Sequence, residues 1–266
     1  MSDSFKTGSE VDYSNSDQVT EWNRYDVAGN DNQKVVTHTF KYKGETLRNY
    51  TILYDKTKKA ALWAAFAMNG DIYPKNVTRD DSWQYDPAIP NSWQPKLTSS
   101  YGGGYTRGHQ VASNDRKTTL YQMYQTNYFT NMTPQLSAFN TGSTTAWDEL
   151  EGAIQDLGYS LTGDVMLYVV TGAIFGSGYK TDATDNNGAS CPVPTQYYKC
   201  IMKVTYNSSG EVTDAKGAAY LFDHESNAPQ QNKTIRQLET LTTFNFFANI
   251  PSQFQESAET TFTNML

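Results

Sequence analysis

Apolar and polar positions trade places in short blocks through the first third of the chain. Residues 34–42, "KVVTHTFKY", are rich in β-branched and aromatic side chains and partly alternate, which predicts a strand. "NYTILYD" (Asn49–Asp55) predicts a second strand and "AALWAAFAMN" (Ala60–Asn69) a third, with Lys56–Lys59 turning between them. The pattern then lapses. Pro74, Pro87, Pro90 and Pro95 break regular structure over a long loop that holds Arg79 and "SWQYDPAIP". A loop of this length inside a compact domain is usually functional or ordered by partners. Gly102–Gly104 read as a flexible turn, residues 118–130 as a Tyr-, Thr- and Phe-rich stretch, and "TNMTPQ" as a further turn.

Helical spacing appears next. Trp147, Leu150, Ile154 and Leu157 recur at three- and four-residue intervals, with Ser143 or Thr144 as N-cap and Gly158 as the stop. "VMLYVVTGAIF" (Val165–Phe175) reads as a buried central strand, and "YYKCIMKVTY" (Tyr197–Tyr206) and "AKGAAYLF" (Ala215–Phe222) as two more. "TIRQLETLTTFNFF" (Thr234–Phe247) predicts a helix followed by an aromatic segment. The expected class is α+β: a central, mainly antiparallel sheet with flanking helices. Residues 1–30 are polar, without aliphatic clusters, and read as a flexible arm rather than a signal peptide. Residues 31–266 form the expected domain.

Composition narrows the chemistry. A net charge of −7 argues against a basic surface over the whole chain. Residues 101–140 differ, with Arg107, Arg116 and Lys117 against Asp115 alone, so a polyanion could still be drawn there. No apolar run approaches the ~20 residues that cross a bilayer. The two cysteines, in "CPVPTQYYKC", exclude a zinc finger or ribbon. Their spacing allows either a short-loop disulfide between Cys191 and Cys200 or two free thiols; the disulfide is expected, and it points to an oxidising compartment. The expected location is therefore secreted, periplasmic or cell-surface, after loss of a signal.

The chain has three histidines. His109 sits in "YTRGHQVASNDR", away from any apolar run. Arg107 lies two residues earlier, on the same face if the segment is a strand. Asn140 precedes the helix, Glu151 lies at the edge of its apolar stripe, and Arg79 lies in the upstream loop. A neutral imidazole can take a proton from water near pH 7, arginines can hold phosphate oxygens, and a hard divalent ion with oxygen ligands can offset charge on a leaving oxygen. Taken singly, each residue also has an ordinary structural reading: an exposed loop histidine, a turn asparagine, a surface salt bridge. His38 reads as structural and His224 as exposed.

"TRGHQVAS", "TNMTPQLSAFN" and "WDELE", in that order, resemble the DNA/RNA non-specific endonuclease family of ββα-metal nucleases. "NYTILYDKTKKAALWAAFAMN" is similar to that family's early strand pair, "VPTQYYKCIM" to its Pro-x-x-aromatic-Tyr-Lys strand, and "IRQLETLTTFNFFANIP" to its C-terminal ending. The likeness runs from about residue 34 to 251. It implies a ββα-metal site in which His109 activates water and Asn140 ligates Mg²⁺, with Mn²⁺ as a substitute. Glu151 would hold metal-bound waters, and Arg79 and Arg107 would contact the scissile phosphate. Asn131 would brace the His-bearing loop, and Arg116 would be a weaker phosphate contact. The implied activity is hydrolysis of DNA and RNA to 5′-phosphate ends. Thr106 departs from the pattern, which has Asp before Arg-Gly-His, and Ala112 stands where Pro is frequent. The Thr106 change leaves a catalytically weak nucleic-acid-binding homologue as an alternative. The tyrosine and tryptophan content suggests a secreted carbohydrate-binding protein as another.

Overall fold

The computed structural model describes residues 23–24, 31–140 and 145–266. Apart from the pair 23–24, the arm read over residues 1–30 lies outside them, as do Ser143 and Thr144. Thirteen strands occur among the described residues: β1 (Asn23–Arg24), β2 (Gln33–Tyr42), β3 (Glu45–Asp55), β4 (Ala60–Met68), β5 (Tyr105–His109), β6 (Met132–Leu136), β7 (Val165–Ile174), β8 (Lys180–Thr184), β9 (Ser190–Val193), β10 (Gln196–Tyr206), β11 (Val212–Asp223), β12 (Gln231–Lys233) and β13 (Asn245–Phe246). Five helices accompany them: α1 (Leu120–Thr126), α2 (Ser137–Asn140), α3 (Ala146–Ser160), α4 (Ile235–Thr242) and α5 (Ser252–Thr260).

Seven strands form one sheet in the order β12-β11-β10-β7-β4-β3-β2, antiparallel at every step. β4, β7 and β10 lie inside it and are almost wholly buried, which is why their sequences run apolar without alternation. Side chains on β10 still separate by face. Tyr197 and Lys199 meet Trp147 of α3, whereas Tyr198 meets Phe246 of β13. One sheet face thus carries α3 and the small β5–β6 strand pair, which Tyr197 Oη reaches at Thr133 and Pro134, and the other the C-terminal elements. β5, β6 and α3 are the ββα unit expected from the sequence.

Several details depart from the sequence reading. Thr145 is the N-cap of α3, its hydroxyl accepting from Asp148 N. Gly158 does not stop that helix, which runs to Ser160. Its missing side chain instead makes room for Met68, since a Cβ there would lie 2.7 Å from the sulfur. "TNMTPQ" contributes strand β6 after a 3-10 turn at Phe129–Asn131, and residues 120–126 form α1, capped by Thr119. The C-terminal helix is shorter than expected, and α5 follows it after Pro251.

The disulfide is not formed: Cys191 and Cys200 are both free and buried. They belong to separate apolar clusters. Cys191 packs with Leu97, Tyr101, Tyr105 and Phe129. Cys200 lies in the main core on the face opposite Lys199, near enough to Glu239 and Glu259 for their charge, after burial, to push its thiol up. The sheet separates the pair despite their nearness in sequence.

The long proline-rich loop docks through a buried pair, His38 Nε2 to Asp86 Oδ2 at 3.0 Å. Thr130 Oγ1 donates to the same carboxylate oxygen at 2.7 Å. His38 is structural, as its β-prone surroundings suggested. His224 is not exposed. Its Nε2 accepts from Leu136 N at 2.9 Å, its Nδ1 lies 2.9 Å from Pro194 O, and its ring packs edge-on against Phe139 and Tyr197.

Candidate active site

Arg107, Gly108 and His109 stand on β5, paired with Pro134, Thr133 and Met132 of β6. The glycine is required by close approach: a Cβ at residue 108 would fall 2.1 Å from the Gln135 side chain. Arg107 and His109 both border a cleft of about 600 Å³, together with Arg79, Thr106, Asn140 and Glu151. Five residues nominated from four separate stretches of sequence therefore meet in one place. β5 supplies two, the proline-rich loop Arg79, α2 Asn140, and α3 Glu151.

The imidazole is oriented by Asn127, the residue that ends α1. Nε2 of His109 lies 3.1 Å from Asn127 Oδ1, and Asn127 Nδ2 donates to Asp80 O at 2.9 Å. That second bond turns the amide oxygen toward the ring. Nε2 must then carry the hydrogen, which leaves the Nδ1 lone pair as acceptor. Burial pushes the His109 pKa down to about 4, with the Arg79 and Arg107 charges acting the same way and the Asn127 bond and Asp81 opposing them. The ring is neutral at pH 7.

Arg107 is partly committed. Its Nη1 donates to Leu97 O at 3.1 Å and Thr98 O at 3.2 Å, and Nε and Nη2 remain for an anion. Arg79 is 53% exposed and pairs with Asp81 at 3.1 Å, a surface contact that a phosphate can displace. Glu151 is held from beneath: its Oε1 lies 3.1 Å from Nζ of Lys199, an ammonium only 2% exposed that also sits 4.5 Å from the Trp147 ring centroid. Burial raises the Glu151 pKa, Lys199 opposes that shift, and Asp115 adds to it.

Asn131 is buried and grips the segment after His109. Its Oδ1 accepts from Val111 N at 2.9 Å, and its Nδ2 donates to Val111 O and Thr126 O. Arg116 does not reach the cleft. It is fully buried, donating to the carbonyls of Asp115, Asn49 and Ala67 and lying over Phe66. A guanidinium spent on three main-chain oxygens has no part in phosphate contact, contrary to the weaker phosphate role expected for it.

Among the described residues no group of three or more His, Cys, Asp or Glu is placed to hold a metal. Asn140 Nδ2 donates to Thr106 Oγ1 at 3.4 Å, and Thr106 Oγ1 donates to Gln135 O at 3.1 Å. The first bond directs Asn140 Oδ1 away from Thr106. With Glu151 and Asp148 also bordering the cleft, the donors are oxygens and few. They fit a hard cation that keeps most of its water, as Mg²⁺ does.

Three residues that matter here were not nominated from sequence: Asn127, Trp83 and Lys199. Lys199 left a signal, a lysine inside an apolar strand, which must find a partner.

A sequence model of DNA/RNA non-specific endonucleases matches residues 29–253. The chain is 27% identical to a nuclease of Nostoc sp. over 220 residues, covering 79% of this chain and 75% of that protein. It is 28% identical to a Serratia marcescens nuclease over 244 residues, covering 87% and 81%. Nuclease C1 of Cunninghamella echinulata is 32% identical over 163 residues, covering 58% and 62%. A chain in the crystal structure of the EndoG/EndoGI complex aligns with a TM-score of 0.61 at 21% identity, covering 82% of this chain and 89% of that one. That likeness is one of fold.

Proposed function

Because the chain belongs to the DNA/RNA non-specific endonuclease family, we propose that it is a Mg²⁺-dependent hydrolase of DNA and RNA phosphodiesters that leaves 5′-phosphate ends, with His109 as general base. The observation that carries this is the convergence of His109, Arg107, Arg79, Asn140 and Glu151 on one cleft. Family membership removes the support for the carbohydrate-binding alternative.

Nδ1 of His109 takes a proton from the attacking water, and Asn127 holds the ring while Nε2–H stays in place. Nε and Nη2 of Arg107, with Arg79 released from Asp81, hold the non-bridging oxygens as charge grows on them. Asn140 Oδ1, with Glu151 orienting water beside it, would hold a divalent cation, which when bound would supply positive charge for the leaving 3′-oxygen. Lys199 favours the charged form of Glu151 against the effect of burial and fixes its Oε1 at the floor of the cleft. Contacts confined to phosphate carry no base information, so cleavage has weak sequence preference. Mn²⁺ fits the same oxygen donors. The location is a separate matter: with both thiols free, the disulfide argument for an oxidising compartment no longer applies.

The test is incubation of wild type and His109→Ala with plasmid and with RNA, in Mg²⁺ or with chelator. Wild type is expected to degrade both polymers only with metal, and the variant to lose ~10²–10⁴-fold in rate. Product ends should accept a kinase label only after phosphatase treatment. With the His109 pKa depressed to about 4, the acid limb of kcat/KM should lie well below pH 6.5. Chelator-resistant cleavage, or a folded His109→Ala variant within a few-fold of wild type, would refute the mechanism. Absence of cleavage by wild type with metal would favour the weak homologue.

A further inference from the structure

The tryptophan of "SWQYDPAIP" stands between the two nominated residues of β5. The Arg107 guanidinium carbon lies 3.8 Å from the Trp83 ring centroid, a stacked cation–π contact. The His109 ring centroid lies 5.3 Å away at an interplanar angle of 53°. Trp83 is half-buried and borders the cleft.

Its backbone is clamped on both sides. Upstream, Asp80 O accepts from Asn127 Nδ2 at 2.9 Å. Downstream, Gln84 O accepts from Phe129 N at 2.9 Å, and Tyr85 packs edge-on against Phe129 at 4.9 Å. The loop is irregular in sequence and held at this point, so the indole is delivered to a defined place. Asn127 serves twice, ordering both the imidazole and the loop that carries the indole.

We propose that Trp83 is a positioning residue: its indole holds the Arg107 guanidinium in one plane and closes one side of the His109 imidazole against water. This rests on the roles given above to Arg107 and His109. Stacking fixes the guanidinium plane while the Leu97 and Thr98 carbonyls fix its roll, so Nε and Nη2 are aimed before substrate arrives. The indole also removes water from the imidazole. Charged groups near the ring are Arg79 and Asp81 from the same loop and Arg107 from β5. Arg79 and Asp81 stay when the indole is removed, while Arg107 is released from its stack; the return of water and the loosening of Arg107 both act to raise the midpoint.

The test uses Trp83→Ala and Trp83→Phe with two measurements. The first is the NMR pH titration of the His109 imidazole, identified by the signal missing from His109→Gln. In Trp83→Ala its midpoint should rise by about a unit or more toward 6.5, and in Trp83→Phe it should stay nearer wild type. The second is steady-state kinetics on a short duplex with Mg²⁺. Trp83→Ala should lower kcat by about 10- to 100-fold with KM within about twofold, and Trp83→Phe should recover most of the loss. An unchanged titration would overturn the proposal. So would a rise in KM alone, which would mean the indole stacks on a nucleobase instead. The titration needs no nuclease activity, so an inactive wild type would defeat the functional reading and leave Trp83 still measurable.

Discussion

Asn140 has one amide oxygen to offer a cation, and Thr106 decides which way it points. The hydroxyl takes the amide hydrogen, and no carboxylate stands at that position to add charge. A single neutral ligand should bind a hydrated ion weakly. Asn140→Ala is therefore expected to raise half-saturating Mg²⁺ by roughly tenfold or more, with KM for DNA within about twofold. Titration of Mn²⁺ followed by paramagnetic relaxation reads the same loss without turnover. Equal half-saturation in both measurements would mean that another residue holds the ion. His109, Arg107, Asn140 and Glu151 were legible as an ordered string because each sits in a short segment whose neighbours fit the family pattern. Asn127 was not, because nothing local marks an asparagine whose partner is a ring 18 residues earlier.

Strand β10 and helix α3 meet through a charge. Lys199 sits mid-strand, opposite Thr171 of β7 and Tyr220 of β11, where a methylene chain packs well and an ammonium does not. Glu151 answers it from α3 at 3.1 Å, and the buried Asp115 feels the same charge. Removing the cation leaves two acids beside one another in low dielectric. Lys199→Met keeps the volume and should cost about 3–5 kcal/mol in urea unfolding, with Glu151→Gln in the same chain recovering part of it. A loss below about 1 kcal/mol would show that water already screens the pair. The apolar strands and the period of α3 were readable in the sequence, since burial on one or both faces writes itself as pattern. α1 and β6 were not, because their polar residues, such as Gln122 and Gln125, are buried by hydrogen bonds that a hydropathy pattern does not see.

Across the whole molecule, the two C-terminal helices are tied to each other through one arginine. Arg236 of α4 contacts Glu239 at 3.0 Å, Glu256 at 3.2 Å and Glu259 at 2.7 Å. Three carboxylates share one cation, and Glu259 is fully buried. Burial first, then the Glu239 charge, pushes Glu259 up to about 7 from an ordinary 4.5, against the pull of Gln255 and Arg236. The folded state then holds a proton that the unfolded chain releases, so stability falls as pH rises from about 4.5 to about 7. Glu259→Gln removes that titration. Its thermal midpoint should fall less than that of wild type between pH 5 and pH 8. Parallel curves would place the proton elsewhere.

The amino-acid sequence alone carried the class of fold, every strand of the central sheet except β12, the core helix and the five candidate residues that border the cleft. Each of these is written in local pattern or in an ordered motif. Only the tertiary structure decided which charges face the cleft. Arg79 and Arg107 border it, while Arg116, equally basic and nearer to His109 than Arg79 in sequence, is spent on buried carbonyls. It also decided that Cys191 and Cys200 remain apart. The eight residues between them permit a bridge, but they end in separate apolar clusters, and Cys200 occupies the sheet face opposite Lys199. Trp83, Asn127 and Lys199 gain their roles in the same way. A side chain's partner lies across space, and a one-dimensional pattern records burial without recording what does the burying.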